Sequence, residues 1–192
     1  MRKLFLMAAL TLALPIVALA QESPRTEIFA GYSYLRLDDD FNDDRDFNGW
    51  TVSVNQTIFK KYFGIKADIS GYQGNTMVGL TPRTDLNKFL FLIGPQLTLR
   101  KSERFQPFAH ALVGAARITV DNDTLGVNFE DTGFAFAVGG GLDVKALSSK
   151  LSVRLFQADY VLTRFDNAVG DTVNSNNFRA SAGIVLRLGS VE

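Results

Sequence analysis

Apolar and polar residues alternate with a period of two along eight stretches of the chain. In residues 49–59, Trp50, Val52 and Val54 fall on one face, and Thr51 and Ser53 fall on the other. A two-residue period is the side-chain period of a β-strand, and roughly ten residues let a tilted strand cross a bilayer. The eight predicted strands are residues 27–37, 49–59, 63–72, 88–100, 107–120, 133–145, 151–163 and 178–188.

Four of these strands depart from a regular pattern. In the first strand, Phe29 and Leu35 break the polar face. Pro95 lies in the fourth strand and lacks a backbone donor, which predicts a bulge or a break in pairing. In the seventh strand, Arg154 and Asp159 are an odd number of residues apart, so a β-bulge near Leu155 or Phe156 is needed to bring both to one face. The fifth strand is apolar on both faces, and its pattern does not orient it.

The connections between the strands alternate between long and short. The long polar segments are residues 38–48, 74–87, 121–132 and 164–176, and the short ones are 60–62, 101–106 and 146–150. Outer-membrane barrels have short periplasmic turns and long external loops. The sequence therefore predicts an all-β fold, an eight-stranded antiparallel up-and-down transmembrane β-barrel with four long extracellular loops.

Charged residues recur on the polar faces of the predicted strands. An Arg or Lys near the middle of the bilayer costs roughly 2–4 kcal/mol when it faces lipid, so we expect the charges inside the barrel and the apolar faces outside. A soluble exported barrel is the alternative, but it would leave Trp50, Val52 and Val54 exposed to water or bury the charges. The predicted lumen charges are Glu27, Lys66, Asp68, Asp143, Lys145, Arg154, Asp159, Arg179 and Arg187.

The first 20 residues have the pattern of a secretory signal peptide. Arg2 and Lys3 precede an apolar run, and residues 18–20 read Ala-Leu-Ala, a small-x-small cleavage pattern. An uncleaved anchor helix is the alternative, but polar residues follow at once. We therefore expect a signal peptide over residues 1–20 and the barrel domain over residues 21–192.

Composition narrows the functional classes. The chain has 20 basic and 20 acidic residues, which does not support a nucleic-acid-binding surface. It has no cysteine, so no disulfide stabilises this exported domain. After residue 20 no run of about 18 apolar residues predicts a transmembrane helix.

Two segments carry a family resemblance: Glu-Ile-Phe-Ala-Gly-Tyr-Ser-Tyr at residues 27–34, and Ser-Ala-Gly-Ile-Val-Leu-Arg-Leu at residues 181–188. With them the chain resembles the OmpA- and OmpX-like outer-membrane β-barrels. The resemblance implies location in the bacterial outer membrane and a terminal signal for the barrel-assembly machinery. The family usually ends in an aromatic residue, whereas here Leu188 is followed by residues 189–192. The implied signal consists of Ser181, Gly183, Leu186 and Leu188.

The lumen charges allow two interpretations. They form either a polar channel or gate, or a salt-bridged plug that satisfies buried groups. An eight-stranded barrel has little free lumen, which favours the plug.

Other candidate chemistry is weak. His110 is the only histidine, and no partner motif accompanies it of the kind a lipid A deacylase would need; we expect it at the lumen or rim. The acidic residues 38–46, with Asp166 and Asp171 in the last long segment, offer oxygen ligands for a divalent ion, but a solvated loop is favoured. Gly139–Gly141 lies within a strand and favours close packing over phosphate binding. We predict no catalytic, cofactor or metal site.

The leading functional hypothesis is a non-enzymatic structural or surface-interaction barrel. Its predicted partners are outer-membrane lipid, the assembly machinery and a ligand at the external loops. The alternative is a narrow pore of low conductance, and the third hypothesis is an enzyme that modifies lipid.

Overall fold

The computed structural model describes residues 26–38, 45–59, 62–76, 84–100, 102, 104–122, 127–146, 150–166 and 172–189. Residues 1–20, the predicted signal peptide, lie outside this set. The described residues form eight strands: β1 (Thr26–Asp38), β2 (Arg45–Phe59), β3 (Phe63–Thr76), β4 (Thr84–Thr98), β5 (Phe105–Asn122), β6 (Val127–Lys145), β7 (Leu151–Asp166) and β8 (Thr172–Leu188).

The strands close into one antiparallel barrel in sequence order, which confirms the predicted fold. Strand β1 pairs with β2 on one side and with β8 on the other, from Thr26 opposite Leu188 to Asp38 opposite Asn176. Closure gives the backbone groups of both terminal strands a partner, which lipid cannot supply. Both β1 and β8 have their terminal ends at the same rim, here called the terminal rim; the other is the distal rim.

Both predicted irregularities concern real features of the ladder. In β7, Arg154 pairs with Asp143 of β6 while Phe156 pairs with Leu142, so Leu155 is an extra residue and the predicted bulge is confirmed. Pairing between β4 and β5 passes from Ile93–Val113 directly to Gln96–His110 with its register unchanged. The break at Pro95 is thus confirmed, and no bulge accompanies it.

The strands extend into all four segments predicted as long loops, so the predicted strand bounds at the distal rim were too short. At the distal rim β1 continues to Asp38, β2 begins at Arg45, β3 continues to Thr76 and β4 begins at Thr84. Strands β5 to β8 are extended in the same way. The reason is that backbone pairing does not require apolar side chains, so a ladder can continue where the apolar pattern stops. At the terminal rim the predicted bounds are close to the observed ones.

The outer surface of the barrel is an apolar band. Trp50, Val52, Ile93 and Val138 are exposed on it, as expected of side chains that face lipid. On β8 the band runs from Phe178 to Leu188, a height of about 25 Å for a tilted strand. Toward the distal rim an outward polar residue ends the band on every strand: Arg36, Asn48, Gln73, Asn87, Arg117, Thr132, Arg164 and Asn176. Among the residues in the ranges given above, no helix is long and apolar enough to span a membrane.

The interior has two layers. Toward the distal rim lies an apolar cluster, with Ile118 packed against it. Toward the terminal rim lie most of the buried charges. Strand β5 contributes Phe108, His110 and Leu112 to the interior, so the structure supplies the facing that the pattern left open. The apolar cluster contains Leu35, Phe47, Tyr72, Leu90, Leu92, Leu112, Ala116, Ala135, Ala137, Val161 and Phe165.

Candidate functional site

Arg179 is at the centre of the charge network in the lumen. It comes from β8, and its Nε lies 2.7 Å from Asp159 Oδ2 on β7 while its Nη1 lies 2.8 Å from Asp68 Oδ1 on β3. All three side chains are sealed from solvent. Ser70 Oγ donates to Asp68 Oδ1 at 2.9 Å and accepts from Arg179 Nη1. One arginine therefore links strands that are not neighbours in the barrel.

Gln157 connects this centre to two further cations. Its Oε1 accepts from Arg154 Nη1 at 2.7 Å and from Lys66 Nζ at 3.3 Å, and its Nε2 donates to Asp159 Oδ2 at 2.7 Å. Lys66 Nζ also lies 3.7 Å from Asp68. Gln157 was not predicted as a site residue. Gln157 is two residues before Asp159 and therefore shares its face of the strand. With the predicted bulge placed before Gln157, this spacing indicates that Gln157 faces the lumen.

Arg154 is held by one carboxylate and two aromatic rings. Its Nε and Nη2 donate to the two oxygens of Asp143, at 2.7 and 3.0 Å. Its guanidinium carbon lies 4.2 Å from the ring centroid of Phe29 and 4.1 Å from that of Phe108. Cation–π attraction is strongest where the pair is shielded from water. This contact accounts for Phe29, an apolar residue between Glu27 and Ser33 on the inward face of β1.

At the terminal rim Glu27 lies between two arginines. Its Oε1 is 3.1 Å from Arg100 Nη2 and 3.4 Å from Arg187 Nε, and Asn55 donates to its other oxygen. Arg100 was not among the predicted lumen charges, although it is the last residue of the predicted fourth strand and lies opposite in phase to Leu97 and Leu99. Lys145 was predicted as a lumen charge, but it is only half-buried and lies outside the network that the described residues form.

His110 faces the lumen and is buried. Its Nε2 lies 2.9 Å from Asp159 Oδ1, although off the direction of a hydrogen bond. Its ring stacks on Phe108 with a centroid distance of 5.8 Å. The imidazole is thus a packed member of the network on the side away from lipid. Within the described part of the chain, no three His, Cys, Asp or Glu side chains are grouped as a metal ion would need; the acidic segment at 39–44 lies outside it.

A family model described as the outer membrane protein beta-barrel domain matches residues 6–185 of the sequence. The chain belongs to this family. Its place is accordingly the bacterial outer membrane, as predicted. No curated protein matches the sequence closely enough to count as a relative.

Solved structures with the same fold come from several outer membranes. Neisserial surface protein A has a TM-score of 0.64 and 15% identity, over 85% of this chain and 97% of its own. Ail of Yersinia pestis, solved in complex with the heparin analogue sucrose octasulfate, has 0.57 and 16%, over 86% of this chain and 100% of its own. OprG of Pseudomonas aeruginosa has 0.55 and 11%, over 88% and 98%. These likenesses concern the fold.

Outer-membrane barrels have their short turns in the periplasm. On this general rule we assign the terminal rim to the periplasm and the distal rim to the outside. In this outer-membrane barrel the middle of the lumen is closed to solvent. Lys66, Arg179 and Leu90 each have no solvent exposure. The residues that would line a water-filled channel are therefore not in contact with water.

The four residues of the predicted assembly signal divide between the two faces of β8. Ser181 is buried in the lumen, where its hydroxyl shares a 2.8 Å hydrogen bond with that of Ser33. Gly183 pairs with Gly31 across the β1–β8 seam. Leu186 and Leu188 are exposed on the lipid side.

Proposed function

We propose that this outer-membrane barrel is a non-enzymatic surface-interaction protein, anchored by its strands and meeting its partner at the external rim. The sealed lumen carries this proposal. A conducting pore needs a continuous water path, whereas Lys66 and Arg179 in the middle of the lumen are shielded completely. The lumen then serves stability, and the external hairpins remain as the surface on which a partner can act.

Charge on the external hairpins favours a basic partner. Between the outward boundary residues and the tips of the hairpins the sequence has many more acids than bases. Charge complementarity steers association and excludes like-charged partners. The acids are Asp38, Asp39, Asp40, Asp43, Asp44, Asp46, Asp85, Asp121, Asp123, Glu130, Asp131, Asp166 and Asp171, and the bases, boundary residues included, are Arg36, Arg45, Arg83, Arg117 and Arg164.

The acidic charge of the external hairpins argues against a polyanion and against nucleic acid as partners. The ligand in the Ail structure is a heparin analogue, a polyanion; an acidic rim does not favour an equivalent ligand here. Nucleic acid is disfavoured for the same reason, because its binding depends on neutralising phosphates with Lys and Arg.

An enzyme acting on lipid has less support. The lone imidazole faces the lumen beside Asp159 with no exposure of either side chain. A lipid substrate on the outer surface of the barrel would not reach it.

We propose further that β8 is the segment recognised during assembly. Its alternation puts small or polar residues, Ser181 and Gly183, inside and leucines outside. Leu186 and Leu188 then contact outer-membrane lipid.

Binding by vesicles that contain the folded barrel tests the proposal. Immobilised polylysine should retain them and immobilised heparin should not, with retention falling as salt rises. Exchange of Asp43, Asp44 and Asp46 for Asn should weaken retention, whereas Glu103→Gln, between β4 and β5 in the sequence, should leave it unchanged. Equal retention on both surfaces would contradict a charge-selective external surface. Planar-bilayer recording checks the pore, and discrete conductance steps would overturn the sealed-lumen argument.

A further inference from the structure

Lys88 is a buried cation in the apolar layer of the lumen. It lies on β4 with 2% of its surface exposed. Its strand neighbours are Tyr72 on β3 and Ile118 on β5, both part of the apolar cluster or packed against it. Asn87, the next residue on β4, ends the lipid-facing band. The ammonium group is therefore inside the barrel at the level where lipid ends on the external side.

This ammonium group has little to compensate its charge. Its one acceptor among the described residues is Thr163 Oγ1, at 3.5 Å. No described carboxylate forms an ion pair with it, whereas Lys66 has both Asp68 and Gln157. The hydroxyl of the neighbouring Tyr72 is engaged with Ser33 at 2.8 Å. An unpaired charge in such surroundings is costly unless a counter-charge accompanies it.

A hydroxyl donor lies at the same place. Because Thr163 Oγ1 accepts from Lys88 Nζ, its own proton remains available to an acceptor. The amide of Asn177 lies beside it, at 3.4 Å, but donates to the nearer carbonyl oxygens of Val161 and Ser175, at 3.1 and 3.2 Å. An ammonium on β4 and a hydroxyl on β7 thus meet inside the barrel.

The buried charges of the lumen also add up to a net positive charge. The buried cations outnumber the buried carboxylates by one, and the half-buried Arg100 adds a further positive charge. Every buried arginine except Arg187 has a carboxylate within 3.0 Å, and Arg187 has Glu27 at 3.4 Å. The cations are Lys66, Lys88, Arg154, Arg179 and Arg187, and the carboxylates are Glu27, Asp68, Asp143 and Asp159.

We propose that Lys88 and Thr163 form a binding site for one small monovalent inorganic anion, chloride being the probe. The anion accepts from the ammonium and the hydroxyl, and it neutralises the excess positive charge. It arrives from the external side, because the charge network closes the lumen below.

Crystals of the folded barrel soaked in sodium bromide give a direct test, because bromide replaces chloride and scatters anomalously. We expect an anomalous peak in contact with Lys88 Nζ, and no such peak in Lys88→Met, which has similar volume and no charge. Bromide at external positions alone, an adventitious ion only, would overturn the proposal. So would ordered water in contact with Nζ in place of the anion.

Thermal unfolding in micelles gives a second test that needs no crystal. Replacing gluconate by chloride at constant sodium should raise the Tm of the wild type by about 3 °C at saturation. Lys88→Met should show no such shift. Thr163→Val keeps the cation but removes one donor, so it should need roughly tenfold more chloride for the same shift. Arg117→Met removes an exposed cation of the outer face and should behave as the wild type; equal shifts in all variants would contradict the site.

Discussion

Arg179 and Asp68 are 111 residues apart in sequence, yet Arg179 Nη1 donates to Asp68 Oδ1 at 2.8 Å in the middle of the lumen. The first lies on β8 and the second on β3. Their contact crosses the barrel interior, and Asp159 on β7 holds the same guanidinium from another side. The pairing thus braces the barrel across its diameter in addition to the ladder around its wall.

Replacing Arg179 with Met should destabilise the barrel strongly. The variant leaves Asp68 and Asp159 buried without this cation, and breaking a buried pair costs about 3–5 kcal/mol. The urea midpoint of the folded form, followed by heat-modifiable gel mobility, measures the loss. Arg117→Met is the matched control, because Arg117 pairs with Glu130 on the exposed outer surface and should cost at most about 1 kcal/mol. Similar losses in the two variants would show that the lumen pair is not special.

A charge placed on the outer surface should be tolerated according to its depth. Ile93→Arg puts a guanidinium in the middle of the lipid band on β4, at a cost of roughly 2–4 kcal/mol. Asn87→Arg, at the external boundary of the same strand, should cost about 0–1 kcal/mol. Unfolding of the two variants in lipid vesicles compares them directly. If Asn87→Arg were the more damaging, the boundary assigned to the band would be wrong.

Deletion of Leu155 should damage folding more than its truncation. The extra residue lets both Arg154 and Asp159 face the lumen. Without it, the Arg154 side of the strand changes face and the bidentate contact with Asp143 is lost. Leu155→Ala keeps the bulge and removes only a lipid-facing side chain. After refolding into micelles, the folded fraction of the Leu155 deletion variant should therefore be well below that of Leu155→Ala. Equal yields would mean that the bulge does not determine which side chains face the lumen.

The seam between β1 and β8 should not accept a side chain at Gly183. A Cβ there would press on the backbone of Ala30 and Gly31, so Gly183→Val should lower the yield of closed barrel. Ala182→Val, one residue away, places the same valine side chain on the lipid side, where Ala182 is exposed. Gel mobility of unboiled samples reports closure. A Gly183→Val barrel that closes like the wild type would remove the steric argument.

The fold was predictable because lipid imposes a simple rule on each strand. Trp50, Val52 and Val54 in alternation with Thr51 and Ser53 identified a strand and its faces, and the odd spacing of Arg154 and Asp159 located a bulge. In both cases the two-residue period of a strand shows which face each side chain is on. Strand ends at the external rim were not predictable, since beyond the lipid both faces can be polar and the ladder continues without a pattern.

The contacts inside the lumen were less predictable from the sequence. Phe29 breaks the polar face of β1, and only the three-dimensional arrangement shows that it stacks on Arg154. Strand β5 has Ala109 on its outer side and Leu112 on its inner side, so hydropathy does not separate them. Which charges pair depends on contacts across the barrel, and the spacing of residues along one strand contains no information about these.

The paired strands that continue past Arg117 on β5 and Thr132 on β6 form a rigid pedestal above the bilayer surface. A peptide grafted between Asn122 and Val127 would be carried on hydrogen-bonded backbone, clear of the lipid headgroups. Its accessibility to antibodies or receptors would then depend little on the length of the graft. This hairpin is accordingly a suitable place for displaying foreign epitopes on bacteria.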